Sequence, residues 1–211
     1  MSIDTAPQTG WGLDYDAGMF LPLPSDEELR AEPAAAEAWT HAVLDHHAQS
    51  AELTPGDAQA LRLTAAAMLT QVEPAVTRLH FAPAGLYSDV LISIVVADPA
   101  SETAALLVSD VAAQGSSTAA EMVAVSTDDH GVGVLIRRTS AVPAAGEGDA
   151  LLVAHWNLLL QGEHSFIAVD ATGSTLDVFA RLDQQLLPLV AGIRLPSREG
   201  ATIARGDGGA P

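Results

Sequence analysis

The stretch DALLVAHWNLLLQGEHSFIAVDAT, residues 149–172, decides the fold that this sequence predicts. It holds two apolar, strand-like runs separated by the turn-forming segment QGE at 161–163, the pattern of two antiparallel strands joined by a hairpin. The first run is apolar on both faces, with Leu151, Val153 and Leu159 on one face and Leu152, Trp156 and Leu158 on the other. A sheet built around this strand therefore needs cover on both sides.

Segments with the same strand character lie earlier in the chain, at 76–83, 89–98, 120–127 and 131–140. Helical patterns occupy 101–113 and 174–193, and two earlier ones, 25–50 and 54–74, begin at the capping signals SDEE and TPGD. The short, turn-rich connections between the later strands are typical of an antiparallel meander. This order predicts an α+β domain with an antiparallel sheet of about six strands packed with helices, preceded by an N-terminal α-hairpin.

The predicted elements divide the chain into four segments. They are an extended, flexible arm at 1–24, the α-helical hairpin at 25–74, the α+β sheet domain packed with the hairpin at 75–195, and a disordered tail at 196–211. Aromatic residues in the arm are unfavourable in water. We therefore expect the arm to dock on the body of this protein or on a neighbour.

Composition narrows the function classes. The formal net charge is −18 over 211 residues, and all nine basic residues are arginines. So acidic a chain repels phosphate groups and anionic lipid, which makes nucleic acid and membrane surfaces poor partners. The acidity favours a basic protein partner, or it serves solubility alone. The combination of abundant alanine and no lysine is typical of a high-GC bacterium.

Signals for disulfides, export and membrane insertion are missing from the sequence. Without cysteine there are no disulfides, thiol catalysis or cysteine-rich zinc sites. The first 18 residues are acidic and polar, unlike a signal peptide, and no run of about 18 apolar residues could span a membrane. We expect a cytoplasmic protein, with export by a route that reads no cleavable signal left open.

The segment WTHAVLDHH, residues 39–47, is the densest cluster of potential metal ligands. On a helix, His41 and Asp45 share a face roughly opposite Trp39, while His46 lies far around the helix from His41. The zinc-protease pattern of two histidines four apart with a glutamate between them is missing. We therefore predict no metal site here, although His41 and Asp45 could supply two ligands of a site completed elsewhere.

Two further polar clusters have both a structural and a chemical interpretation. The segment TDDHG, 127–131, consists of ordinary turn residues, with a hard-cation site as the alternative. His155 and Asn157 share one strand face, and we expect them to be hydrogen-bonded within the sheet or to line a shallow pocket. The His–Ser pair at 164–165 faces opposite sides of its strand. Because the G-x-S-x-G elbow is also missing, the sequence predicts no nucleophilic serine.

The order and spacing of three segments carry a family resemblance. They are LHFAP (79–83), DVLISIVVADPASETAALLVSDVAA (89–113) and DALLVAHWNLLLQGEHSFIAVDATGSTLDVFARLDQQLLPLVAGIRL (149–195). From about Val76 to Leu195 the chain resembles the PsbP-like fold, especially its LpqN-like actinobacterial branch. The resemblance implies a binding module without shared catalytic residues. It does not imply envelope anchoring, because the signal peptide and cysteine of the lipoprotein members are missing here.

The sequence thus predicts a non-enzymatic protein-binding module, such as an accessory factor, a chaperone or an immunity-type partner. We expect a basic or hydrophobic protein partner, with a homodimer also open, and no catalytic residue, cofactor or metal. The candidate contact residues are Trp11, Tyr15, Phe20, Asp26, Glu27 and Glu28. The alternative is a small-molecule or lipid-binding module with a pocket between sheet and helices, near His155, Trp156 and Phe166.

Overall fold

The structure, a computed structural model, describes residues 2–4, 10–116, 119–143 and 150–196. Most of the predicted tail, 197–211, lies outside the described residues. None of the described helices is both long and apolar enough to cross a membrane.

The described residues form ten strands, five α-helices and one 3-10 turn, in an order that begins with strands. The strands are β1 (Ser2–Asp4), β2 (Gly12–Asp14), β3 (Phe20–Pro22), β4 (Thr77–Phe81), β5 (Val90–Ala97), β6 (Glu121–Thr127), β7 (Gly131–Val142), β8 (Leu151–Gln161), β9 (Phe166–Gly173) and β10 (Ile193–Arg194). The helices are α1 (Asp26–Ala31), α2 (Ala35–Ala48), α3 (Pro55–Leu69), α4 (Glu102–Ala113) and α5 (Phe179–Ala191), with the 3-10 turn at Leu176–Val178.

Seven of these strands form one antiparallel sheet in the order β3-β4-β5-β9-β8-β7-β6. The other three, β1, β2 and β10, form a small antiparallel sheet of their own. The α+β class and the antiparallel sheet are therefore confirmed. The large sheet has seven strands and not about six. The predicted N-terminal α-hairpin is not confirmed, because β1, β2 and β3 come before the first helix along the chain.

Residues 10–24 contribute the strands β2 and β3 to the two sheets and dock on the body of the protein, and do not form a flexible arm. β2 pairs with β1 and β10, while β3 is an edge strand of the large sheet, paired with β4. Trp11, Tyr15 and Phe20 are each at most 7% exposed, and the ring of Phe20 packs on that of Phe81 at 5.2 Å between centroids. The sequence did not predict these strands because three residues are too few to reveal an alternating pattern.

The helix predicted at 25–50 is two helices, because the chain turns at Pro33. The residue before this proline, Glu32, is extended with φ −127° and ψ 99°, as steric contact with a proline ring favours. The predicted helix starts are confirmed, since Ser25 caps α1 and Thr54 caps α3, each in a reciprocal capping box.

Two leucines in or beside the helices point toward solvent. Leu106 of α4 is 55% exposed, and Leu176 before α5 is 41% exposed. α4 packs on the sheet through the small side chain of Ala104 and the partly buried Leu107, and its Val111 is also buried. That contact turns Leu106 toward solvent, because positions two apart on a helix lie on different faces.

One face of the large sheet, here the α5 face, holds the main hydrophobic core. α5 places Leu182, Leu186 and Leu189 against it. The sheet residues in this core include Leu79, Phe81, Ile92, Ile94, Leu158, Leu160, Ile167 and Val169, all of them buried. Their alternation along each strand leaves the residues between them on the opposite face.

The opposite face, here the second face, is covered in two separate places. α4 packs at one end of β9, where Ala104 contacts Phe166 and Ala168. α2 and α3 pack against each other, and their shared cluster reaches the sheet at Leu21 and Leu91. The two-faced apolar pattern of β8 thus correctly predicted cover on both sides, but the helices leave a gap between them.

Candidate functional site

In this gap the second face carries a row of polar side chains from three neighbouring strands. They are Ser140 on β7, His155 and Asn157 on β8, and Asp170 and Thr172 on β9, here called the polar strip. Strand register places His155 opposite Thr172 and Asn157 opposite Asp170. Directly opposed residues and residues two apart share a face, so all five side chains lie on one surface.

The polar strip is one continuous chain of hydrogen bonds. Oγ of Ser140 lies 3.0 Å from Nε2 of His155, and Nδ1 of His155 lies 3.3 Å from Oγ1 of Thr172. Oγ1 of Thr172 donates to Oδ2 of Asp170 at 2.9 Å, and the Asn157 amide donates to Oδ1. The expectation that His155 and Asn157 are hydrogen-bonded within the sheet is therefore confirmed.

The polar strip is buried at one end and open at the other. Asn157 is 1% exposed, whereas His155 and Ser140 are only partly buried. Burial raises the pKa of the Asp170 carboxyl and outweighs the hydrogen bonds from Thr172 and Asn157, which lower it. The strip therefore runs from a desolvated carboxyl group to a hydroxyl group that solvent can reach.

The open end of the polar strip faces a shallow groove of about 510 Å³. The groove is lined by Gln114, Gly115, Ser116, Ser140 and His155. Arg138 on β7 fixes its wall, because the guanidinium donates to the carbonyl oxygen of Val111 and, at 3.2 Å, to the side-chain oxygen of Gln114. The segment that follows α4 is thereby held beside His155.

A second candidate surface is apolar and lies beside the β6 edge of the sheet. Met122 on β6 and Val132 on β7 are each 67% exposed, and Val108 on α4 is 46% exposed. Val108, Val132 and Val134 also line an open depression of about 540 Å³ on the second face. We call Val108, Met122, Val132 and Val134 the apolar rim. Exposed apolar side chains grouped in this way are typical of interaction surfaces.

The three predicted pocket residues do not line a common pocket. Trp156 lies on the α5 face, where its ring packs on Phe179 at 5.1 Å between centroids and under the guanidinium of Arg137 at 4.8 Å. His155 and Phe166 share the second face, but they line the two different depressions described above. Trp156 faces the other way because neighbouring strand residues alternate.

The six predicted protein-contact residues do not form one exposed surface. The three aromatic side chains, Trp11, Tyr15 and Phe20, are buried in the protein's own core. Asp26 forms an ion pair with Arg30, whose hydrogen bond lowers the pKa of the Asp26 carboxyl.

The other two acidic candidates differ in their local roles. Glu28 accepts the backbone N–H of Ser25 at 2.7 Å in the capping box, and Glu27 is exposed on the same turn. Two of the three carboxylates therefore have local structural roles at the start of α1.

The segment WTHAVLDHH forms part of the junction between α2 and the sheet. Trp39, Val43 and His47 are its buried residues. Nε2 of His46 lies 2.7 Å from the carbonyl oxygen of Ala82, and His41 is paired, at 4.0 Å, with Glu37 and not with Asp45. Over the described ranges no group of three or more His, Asp or Glu side chains is placed to hold a metal ion.

The segment TDDHG forms the turn between β6 and β7. Gly131 has φ +85°, a conformation that favours glycine, and the backbone N–H of His130 donates to Oγ1 of Thr127 at 3.0 Å. Asp128 and Asp129 are exposed at the tip. Its residues therefore play the turn-forming roles that the sequence predicts.

No protein-family model matches this chain, and no curated protein matches it significantly. The PsbP-like assignment therefore stays a prediction. The polar strip and the apolar rim have to be interpreted from their own chemistry.

Ser140, Asp170 and Thr172 of the polar strip were not among the residues that the sequence predicts for a site. A usable signal exists for Asp170 and Thr172, because each is a polar residue on a face of the otherwise apolar strand β9, whereas Ser140 follows the polar run RRT and gives no such signal. Asp170 is the clearest case, since it interrupts the run FIAVDA. Only strand register shows that these residues meet.

Proposed function

We propose that this protein acts by binding another protein, and that the β6 edge with the apolar rim forms the contact surface. The observation that carries the proposal is the exposure of Met122 and Val132, 67% each, on the same face of the last two strands of the sheet, where Met122 pairs with Ile136 and Val132 pairs with Ser126. Burying two such side chains against a partner contributes roughly 1.5–3 kcal/mol each. That gain is a physical reason for a partner to cover them.

The position of β6 adds a second kind of contact. β6 pairs with β7 and is the last strand of the large sheet across the described residues. An edge strand presents backbone N–H and C=O groups on its outer side, which an extended segment of another protein can pair with. Backbone pairing would supply affinity, and the apolar rim would supply side-chain specificity.

Charge next to the edge indicates the chemistry of the partner. Asp128 and Asp129 stand exposed in the turn at one end of β6, and Glu121, at the other end, is paired with Arg137 at 3.2 Å. With a net charge of −18 over the whole chain, this surface attracts positive charge. We therefore expect an extended partner segment that carries apolar side chains flanked by arginine or lysine.

Affinity purification from the native host tests the proposal with matched variants. The double variant Met122→Arg/Val132→Arg places charge on the apolar rim, and Leu63→Arg places the same charge on α3 at a site that is 62% exposed. A partner that wild type and Leu63→Arg retain and the double variant loses, as quantified by mass spectrometry, supports the proposal. Equal retention by all three proteins overturns it.

A salt series on the same samples tests the partner's charge. Retention that falls steeply between low and high salt is expected for an acidic surface that binds a basic segment. If the partner is retained equally at all salt concentrations, its predicted basic character is contradicted, and the apolar contact alone would account for binding.

A further inference from the structure

The groove at the open end of the polar strip brings a hydroxyl nucleophile and a base together. We propose that Ser140 is the nucleophile of an acyl-transfer site, with His155 as its general base, and that the site acts on small carboxylic esters. The sequence predicts no nucleophilic serine because Ser165 and its neighbouring histidine face opposite sides of a strand and the G-x-S-x-G elbow is missing. A serine positioned by strand register lies outside that pattern.

The direction of the hydrogen bonds suits this role. An ionised Asp170 only accepts, so the single proton of the Thr172 hydroxyl points to Asp170. Oγ1 of Thr172 is then the acceptor for a proton on Nδ1 of His155. This tautomer leaves the Nε2 lone pair toward Oγ of Ser140, 3.0 Å away, which is within the range for proton transfer.

Thr172 and Asp170 are positioning residues in this arrangement. Thr172 fixes the ring orientation and tautomer of His155, and Asp170 fixes the Thr172 hydroxyl. The carboxylate also stabilises the positive charge that His155 gains when it takes the serine proton. Asp170 does not contact the imidazole directly. It acts on His155 through the Thr172 hydroxyl, and therefore from a greater distance than a directly bonded carboxylate.

The reaction balances with an ester and water as the only reactants. Oγ of Ser140 bonds to the ester carbonyl carbon while its proton moves to Nε2 of His155. The bond between that carbon and the alcohol oxygen then breaks, and His155 returns the proton to the departing oxygen. Water repeats the sequence on the acyl-serine, releasing a carboxylic acid and restoring Ser140.

The groove indicates what kind of ester fits. The residues beside Ser140 and His155 are Gln114, Gly115 and Ser116, which are polar or small, so they offer no apolar slot for a long acyl chain. Because Oε1 of Gln114 accepts from Arg138, the amide N–H₂ of Gln114 remains as a donor for the carbonyl oxygen. We therefore expect short-chain acyl esters and not lipids.

Covalent labelling of the purified full-length protein tests the site without any protein partner, so its outcome is separate from that of the protein-binding proposal. A fluorophosphonate probe is expected to form an adduct at Ser140, located by peptide mass spectrometry. Ser140→Ala should abolish the adduct, while Ser50→Ala, which removes an exposed hydroxyl outside the groove, should not. Absence of an adduct at Ser140 in folded wild-type protein overturns the proposal.

Kinetics separate a catalytic base from a structural histidine. His155→Gln should lower both the labelling rate and the hydrolysis of p-nitrophenyl acetate by about 100-fold or more. Thr172→Val should shift the pH profile of labelling, and Thr172→Ser should restore it, because the serine keeps the hydroxyl. Equal rates for wild type and a folded His155→Gln variant contradict the proposed role of His155.

Discussion

The imidazole rings of His47 and His80 face each other where α2 meets β4, with 6.3 Å between their centroids. His80 is fully buried, and its Nε2 lies 2.9 Å from the carbonyl oxygen of Ser88. Trp39 packs against the same ring at 6.4 Å. The junction between the helices and the sheet therefore depends on two histidines that are buried in the folded protein.

We predict that the folded protein loses stability as the pH falls from about 6.5 to about 4. Burial lowers the pKa of His80 to about 4, although the hydrogen bond to Ser88 opposes this, and His47 and His46 lower it further while Asp89 raises it. The unfolded chain thus binds more protons below pH 6.5. The shift corresponds to about 3 kcal/mol, measurable by urea unfolding between pH 4 and 8.

Substitution of His80 tests whether this histidine causes the loss of stability in acid. His80→Gln should flatten the decline in stability below pH 6.5, even though it is expected to be less stable at pH 7.5. His41→Gln is the matched control, because that side chain is 69% exposed, and it should leave the pH profile as in wild type. An unchanged slope in His80→Gln would refute the assignment.

A second prediction concerns Asp89, which joins two distant loops. Its carboxylate accepts hydrogen bonds from the backbone N–H groups of Ser174 and Thr175, at 2.8–3.0 Å, and from both hydroxyls. Burial alone would raise the pKa of Asp89, but these bonds lower it below the usual value. We expect Asp89→Asn to reduce the free energy of unfolding by roughly 1.5–3 kcal/mol.

The contribution of Asp89 also depends on pH, but for a different reason: the folded protein favours the charged form of Asp89 and the neutral form of His80. A carboxyl group with a lowered folded-state pKa stabilises the protein above its unfolded pKa, and the effect is lost as the pH falls through the folded value. The difference between wild type and Asp89→Asn should therefore be constant above about pH 5 and shrink in stronger acid. Glu52→Gln, at an exposed position, serves as control and should match wild type throughout.

Much of the fold was predictable because its signals are local. The capping boxes at Ser25 and Thr54 each lie within four residues, and the alternation along β5 to β9 is visible in each strand alone. By contrast, β2 and β3 have only three residues each, and each pairs with a different strand. What makes them strands is the partner they pair with, which a single stretch of sequence does not reveal.

The polar strip was harder to predict for the same reason. Ser140 and His155 are 15 residues apart in sequence, and His155 and Thr172 are 17 apart. A shift of one residue in register would send one of these side chains to the other face. The sequence predicts that His155 and Asn157 share a face, because they lie two apart on one strand. It does not predict that Ser140, Asp170 and Thr172 lie beside them, because these residues belong to other strands.

A third prediction follows from the close approach of β7 and β8 at Gly133. A Cβ atom on Gly133 would lie 1.9 Å from the backbone oxygen of Leu159, which is far inside van der Waals contact. Gly133→Ala should therefore destabilise the protein strongly, by more than the 1–3 kcal/mol typical of overpacked cores. Gly56→Ala is the control, because its nearest atom lies 3.7 Å away. Thermal melts that coincide for the two variants would contradict the prediction.

The last prediction concerns Trp11, which tests whether the N-terminal segment is structural. Trp11 is 4% exposed and belongs to the main core, so Trp11→Ala should reduce the free energy of unfolding by about 3–5 kcal/mol. Leu63→Ala, at a side chain that is 62% exposed, should change it by less than about 0.5 kcal/mol. Urea unfolding followed by circular dichroism measures both. If Trp11→Ala unfolds at the same urea concentration as Leu63→Ala, the indole does not stabilise the domain, and a role for residues 10–24 in contacting a partner regains its support.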